Sequence, residues 1–502
     1  MSDVAASYDA SPYPAYAFWF THPNQLAVMA TLFGLDPAPP ERCRVLELGC
    51  AVGGNLLPMA AAAPDSSFVG VDVSEVQIAL ARRVAAEVGI DNVRLERADL
   101  RDLDPALGPF DYIIAHGVFS WVDDAVRDAL LDLCRERLAP NGVVYLSYNA
   151  LPGWHTARVA RDFMRLHAEP FDDPSTQVEQ GLAIVEWLAD RTARVGEDWR
   201  AAFLAAELDN ARSLPGWTLL HEYLSDDNRA FYFRELVELC EAHGLVYLSD
   251  AKPWDMWIEN FGPTIAETLG PVPGLVRQAQ YLDFVTHRRF RQTLLCRADA
   301  PVDRRVDTRL VERFALRAQV AEAPNLVGLE TGAPVQMGNP NRTPIEVRGV
   351  VARLALHLLY HAGQRDVPFR ELVERLVSEL DARGLGDGRT GTEAERAATR
   401  KDLHRALVRL FFGELVGFSV SPPPLATAVP ERPRTGALQR WQARQGDAVT
   451  NLWHEHLPLG PAARAVLPHL DGTRDRAALA ALHPDPIDET LDALLRAGLL
   501  LA

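Results

Sequence analysis

The sequence predicts an α/β chain: a doubly wound sheet of seven strands with a helical insertion, followed by mainly helical smaller domains. Three observations predict it. Strand-like and helical runs alternate from Arg44 to Tyr148, a glycine-rich turn follows the first strand, and beyond "ADAPVD" helical patterns take over. Apolar strands between amphipathic helices describe a parallel sheet covered on both faces. Right-handed crossovers then wind it both ways, leaving a ligand crevice at the carboxyl ends of the strands.

The elements follow in order. Residues 1–40, rich in proline and aromatic residues, are expected to form a flap over the crevice. "RVLEL" reads as a strand, "NLLPMAAAA" as a helix, "SFVGVDV" as a strand, and "EVQIALARRVAAEVG" as a helix with apolar residues three and four apart. "VRLERADL" and "FDYIIAHG" are strands, "DAVRDALLDLCRERL" is a helix and "GVVYLSYN" a strand. Long helical patterns such as "QVEQGLAIVEWLADRTA" mark an insertion at about 155–225. The helix "AFYFRELVELCEAHG" and the strands "LVYLSDA" and "FRQTLLCRA" then complete a Rossmann-like domain over 41–300. Residues 301–420 are expected as a helical middle domain. The proline-rich 421–436 is expected as a semi-rigid linker, and 437–502 as a small winged-helix-like module.

Composition narrows the function classes. At 502 residues the chain is long enough for several domains with real cores. Its net charge of −17 suits a basic partner and disfavours tracking a nucleic-acid backbone. The five cysteines (Cys43, Cys50, Cys134, Cys240, Cys296) show no paired ligand spacing, so they read as reduced thiols of a cytoplasmic protein rather than a disulfide frame or zinc site. "HEH" at His454–His456 lacks a third ligand and reads as exposed polar residues before a helix, so no metal is expected. The N-terminus lacks a basic region followed by an apolar core, and no apolar run reaches spanning length; neither signal peptide nor stable membrane anchor is expected.

"VLELGCAVGGN" (Val45–Asn55) is the sharpest local signal. A dinucleotide fingerprint needs G-x-G-x-x-G, but Ala51 stands at its second glycine, and no Lys-Ser/Thr pair follows for a phosphate-cradling loop. A nucleoside without phosphates asks less of the loop. Asp72 lies 23 positions after Gly49 at the end of the second strand, where a carboxylate can accept both ribose hydroxyls. Asp99 and Leu100 end the third strand, near an adenine amino group and ring, and Glu47 can face a ligand ammonium. Carboxylates on successive strand ends suit a cation, and S-adenosylmethionine joins a sulfonium, an ammonium, a ribose and an adenine.

"RVLELGCAVGGNLLPMA", "FVGVDVS" and "DYIIAHGVFSWV" closely resemble class I S-adenosylmethionine-dependent methyltransferases. "YDASPYPAYAFWFTHP", "LSYNALPGWH", "LLHEYLSDDN", "HGLVYLSDA" and "YLDFVTHRRFRQTLLC" further resemble the bacterial family with a methyltransferase regulatory domain. That family includes protein-lysine methyltransferases acting on outer-membrane proteins. The resemblance is strong over residues 8–300 and looser beyond, with Ala51 and the aromatic "AFWF" (Ala17–Phe20) as departures. The expected donor contacts are Glu47, Gly49, Cys50, Ala51, Gly53, Asn55, Asp72, Val73, Gln77, Asp99, Leu100, His116 and Gly117, with Tyr8 and Tyr16 from the flap.

Methyl transfer from a sulfonium is an in-line displacement, so positioning the acceptor in a water-poor site is most of the work. A lysine amine, with an ordinary pKa of about 10.4, must also shed a proton. Candidates for that chemistry are His116 and Trp121 after the fourth strand; Tyr148, Trp154 and His155 after the fifth; Tyr13 in the flap; and Glu222 in "HEYL". Each has a plainer role in packing or structural hydrogen bonding. The C-terminal units carry no catalytic constellation and read as protein-binding or homodimer-forming modules whose removal spares donor binding. The reading is a methyltransferase for a protein or peptide lysine. The alternative acceptor is a small metabolite or biosynthetic peptide; a non-catalytic binding protein fits less well, since the donor residues are intact.

Overall fold

The computed structural model describes residues 16–502 apart from 194–198, 226, 339–343, 387 and 483–485. Tyr8 and Tyr13 lie outside the described residues. Seven strands form the central sheet: β1 (Arg44–Leu48), β2 (Ser67–Asp72), β3 (Val93–Arg97), β4 (Phe110–Ala115), β5 (Leu138–Asn149), β6 (Leu245–Asp250) and β7 (Phe290–Arg297). Their order is β3-β2-β1-β4-β5-β7-β6. The chain reverses its direction of winding between β1 and β4, the place where a doubly wound sheet opens a crevice at its strand ends.

The inner strands are apolar because both faces are covered; every residue of "FDYIIA" but Asp111 is buried. Helix starts and stops follow local chemistry. Ser74 caps Glu75–Val88 by accepting from the Gln77 amide (3.2 Å), and Gly89 ends it at φ +78°. Asp123 caps Asp124–Arg137 by accepting from the Val126 amide (2.9 Å).

Three expectations change. The sheet is mixed rather than parallel, because β7 runs antiparallel to β5 and β6. The segment from Ala251 to Arg289 stays at the edge where β6 ended, so β7 starts there and runs back down. Arg291 secures that strand. Its fully buried guanidinium bonds Asp250 Oδ1 and Asp283 Oδ2, each at 2.9 Å, over the Phe233 ring.

The region 301–420 is not simply helical. Helices Val350–His361, Phe369–Ala382 and Glu393–Phe412 pack with a three-stranded antiparallel sheet of Ala315–Ala318, Val367–Pro368 and Val416–Ser419. Strands this short carry too little alternation to be seen against three amphipathic helices.

The proline-rich 421–436 is not a free linker. It is laced to the tail: Ala426 N donates to Leu500 O (3.0 Å), Thr435 N to Leu470 O (2.9 Å) and Leu501 N to Arg434 O (3.0 Å). Prolines spare donors there, so the segment pairs only where an amide remains. The insertion is helical as expected, with Gly153–Ala168, Pro174–Ala193 and Trp199–Arg212 leading to a short helical stretch over Gly216–Leu219 and Leu220–Leu224. Among the described residues no helix is long and apolar enough to cross a membrane, and no group of three His, Cys, Asp or Glu side chains is placed to hold a metal ion.

Candidate active site

A cavity of about 440 Å³ opens at the carboxyl ends of β1, β2 and β4, a volume within the usual range for small-molecule sites. One side is the glycine loop. Gly49 N and Cys50 N both donate to Val71 O, at 2.8 and 3.1 Å, which folds the loop down onto β2. Gly49 has φ +72°, and a Cβ there would stand 2.5 Å from Val118 Cγ2. Only glycine fits. Ala51 sits at φ +48°, so the position where another glycine is commoner does carry left-handed backbone, a cost of roughly 1–2 kcal/mol for alanine. Its amide donates to Asp72 Oδ2 (2.9 Å), while Ser74 N donates to Asp72 Oδ1 (2.9 Å). The Asp72 carboxylate thus ties the loop to the end of β2.

Glu47 is buried at the base of this side. Asn55 Nδ2 donates to its Oε1 (2.7 Å), and its Oε2 is buried with no hydrogen-bond partner among the described residues. Burial pushes the carboxyl up to about 8; the Asn55 bond works the other way, and the charge of Asp72 adds to the rise. A buried orphan carboxylate oxygen beside a second carboxylate is a place that gains from a cationic ligand. Asp99 and Leu100 line the adjoining wall, where the hydrogen bond from Arg101 holds the Asp99 carboxyl below its usual range.

The rest of the lining is aromatic and acidic: Tyr16, Phe18, Trp121, Trp217 and Phe290, with Glu222 and Asp227. His116 also lines the cavity. Its Nδ1 meets Tyr145 Oη (2.9 Å) and Ser147 Oγ (3.2 Å), and Phe18 packs on its ring at 4.1 Å. Burial, with the nearby Lys252 charge, lowers its pKa to about 3, so the imidazole is neutral. Burial raises Glu222 to about 7 against the opposing charge of Arg289.

Of the residues named from the sequence, the cavity brings together Glu47, Gly49, Cys50, Ala51, Asn55, Asp72, Val73, Gln77, Asp99, Leu100, His116, Gly117, Trp121, Glu222 and Tyr16. Four others lie elsewhere. Gly53 turns the loop against Leu57 instead of facing the ligand space; Gly54 takes the wall position. Tyr148 points to the opposite face of the sheet, where its hydroxyl reaches Thr293 Oγ1 (3.3 Å), because side chains alternate along β5. Trp154 packs behind Trp121, with ring centroids 6.2 Å apart, and His155 bonds the Tyr232 hydroxyl (3.0 Å) at the surface. Neither lines the cavity.

Sequence reading missed Phe18, Trp217, Asp227 and Phe290 as wall residues. Phe18, Asp227 and Phe290 lie within quoted family stretches whose side-chain directions no motif gives. It also misjudged "HEH". His454 is buried and its Nε2 lies 2.8 Å from Asn55 Oδ1. What a linear pattern cannot show is that a tail packs back onto the first domain.

Comparison with known proteins agrees with this geometry. Residues 45–142 match the family described as "Methyltransferase domain", 217–297 match "Predicted methyltransferase regulatory domain", and 431–485 match "PKMT, C-terminal winged helix domain". The uncharacterized protein RP028 of Rickettsia prowazekii is 38% identical over 232 residues, 46% of this chain and 92% of that protein. RP789 of the same organism is 29% identical over 479 residues, 94% of this chain and 84% of that protein. The structure of PKMT2 from Rickettsia typhi in complex with AdoHcy superposes with a TM-score of 0.82 at 26% identity, covering 98% of this chain and 100% of that one. A buried carboxylate, a glycine loop pressed against β2 and an acidic strand end are what an adenosyl sulfonium donor requires. The chain belongs to the class I S-adenosylmethionine-dependent methyltransferases that carry a methyltransferase regulatory domain, and S-adenosylmethionine is its methyl donor.

Proposed function

We propose that the enzyme methylates the side-chain amine of lysine in a protein substrate. One observation carries the reading: the cavity lined by the donor loop is also lined by aromatic rings and two further carboxylates, Glu222 and Asp227. An alkyl stem ending in a cation suits such a wall, since aromatic faces attract ammonium groups and cover methylene chains. The likeness to PKMT2 and the net charge of −17 point the same way.

The donor brings an electrophilic methyl group; the chain's residues hold its ends and prepare the acceptor. Glu47 meets the donor's ammonium, Asp72 its ribose hydroxyls, and Asp99 with Leu100 the adenine. Cys50, Ala51, Asn55, Val73, Gln77, His116 and Gly117 shape the space between. Glu222 is the group that takes the proton from the incoming ammonium, being near half-ionised at neutral pH. Neutral His116 and the rings of Phe18 and Trp121 keep water from the reacting atoms. The middle and C-terminal domains grip the protein.

The test is incubation with isotopically labelled donor and lysine-bearing polypeptides, including outer-membrane proteins, followed by mass spectrometry. Methylated lysine is the expected product. Label appearing only on small carboxylate or hydroxyl compounds overturns the proposal in favour of a metabolite acceptor.

A further inference from the structure

We infer that the C-terminal domain completes the donor site, with His454 as a positioning residue that orients Asn55 toward Glu47. The inference rests on the reading of Glu47 as the group that meets the donor's ammonium.

A primary amide has an accepting end and a donating end, and what surrounds it decides which way it faces. The accepting end of Asn55 receives Phe18 N (2.9 Å) and stands 2.8 Å from His454 Nε2. Its donating end reaches Glu47 Oε1 at 2.7 Å. Turned over, the amide nitrogen would meet the Phe18 N–H, and its oxygen would face the Glu47 carboxylate. The oxygen can only accept, so His454 donates from Nε2. Phe18 N from the N-terminal segment and His454 from the last domain at the oxygen, with Thr21 Oγ1 accepting from the nitrogen (3.0 Å), therefore fix the amide that supports ionised Glu47.

The backbone around His454 is built to deliver that ring. His454 has φ +65°, a left-handed conformation unfavourable for any residue with a side chain, and it is buried. Asn451 holds the turn: its Oδ1 accepts from Trp453 N (3.0 Å) and Glu455 N (2.8 Å), and its backbone oxygen from His454 N (3.1 Å). Two residues on, His456 meets the Tyr16 ring edge-on at 4.5 Å, and Tyr16 is itself a wall of the cavity. One turn of the tail thus touches the donor site at two points. Trp441 Nε1 donates to Glu87 Oε2 (2.7 Å) well away from the cavity, a second tail-to-core bond with no line to Glu47.

The experiment measures the affinity of the full-length chain for S-adenosylhomocysteine by calorimetry. H454A removes the donor; H454F removes it while keeping a ring; H454Q restores an amide donor; W441F deletes the remote bond; E47Q tests the underlying reading. Expected are losses of about five- to tenfold in H454A and H454F, recovery in H454Q, and wild-type affinity in W441F. Wild-type affinity in H454A and H454F alongside a weakened E47Q overturns the inference. Equal losses in H454A and W441F also overturn it, since domain docking in general would then be the cause. Unchanged affinity in E47Q brings down the reading of Glu47 and the inference with it.

Discussion

The two sides of the cavity are made differently. The donor side is drawn mostly from Glu47 to Leu100, with His116 and Gly117 after β4, all at or beside the ends of neighbouring strands. The remaining wall is gathered from Tyr16 and Phe18, from Trp217, Glu222 and Asp227 at the end of the helical insertion, and from Phe290 at the start of β7. One side is mostly backbone geometry and short-range order, joined from afar at Asn55 by Phe18 and His454; the other is wholly a meeting of segments far apart in the chain. A donor common to many enzymes needs only the first, whereas choice of acceptor needs a wall that can vary without disturbing the sheet.

If that division is right, variants on the two sides should separate into different kinetic constants. The largest effect is expected for Glu222→Gln: a fall in kcat of about a hundredfold or more, with donor affinity kept. The wild-type rate should climb as pH rises through about 7, where Glu222 becomes ionised, and that limb should vanish in the variant. Equal pH profiles would remove Glu222 from proton transfer. Asp72→Ala should weaken donor binding by about 1–3 kcal/mol, read by calorimetry, and an unaltered constant would take Asp72 out of the site.

A third measurement sharpens the donor side alone. The raised pKa of Glu47 means that the empty protein holds a proton there up to about pH 8, whereas the bound donor favours the ionised form. Binding at pH 7 should release that proton and tighten as pH rises from 6 to 7.5, by up to about tenfold per unit. Calorimetry in buffers of different ionisation enthalpy reads the proton directly, and Glu47→Gln should abolish it. For the empty fold the sign is the reverse: a carboxyl whose pKa is raised by burial contributes most below its unfolded value of 4.5, and that contribution is lost as pH climbs toward 8. The smallest effect is expected on the remaining wall. Trp217→Ala should raise the acceptor KM a few-fold, as loss of a cation–π contact of about 0.5–1 kcal/mol implies, without touching donor affinity. A change in donor affinity there would blur the division.

The tail shows how far linear reading reaches. Its winged-helix character was legible from short helices and "LDGTRDRAAL", yet its placement was not, and removal of 301–502 was expected to spare donor binding. With His454 on Asn55 and His456 on Tyr16, that expectation no longer follows from the structure. Tyr148 fails for a simpler reason. Period-2 alternation fixes that neighbours on a strand face opposite ways, but not which of them faces the crevice once β7 covers one edge.

By itself the sequence determined the sheet, its order of strands and helices, and the donor edge. Those are written within short stretches of chain, as burial periodicity, helix caps and a glycine that must carry positive φ. Tertiary structure alone decided the antiparallel entry of β7, the aromatic and acidic wall, and the return of the last domain onto the first. Those depend on which distant surfaces bury one another, a long-range balance that no local pattern encodes.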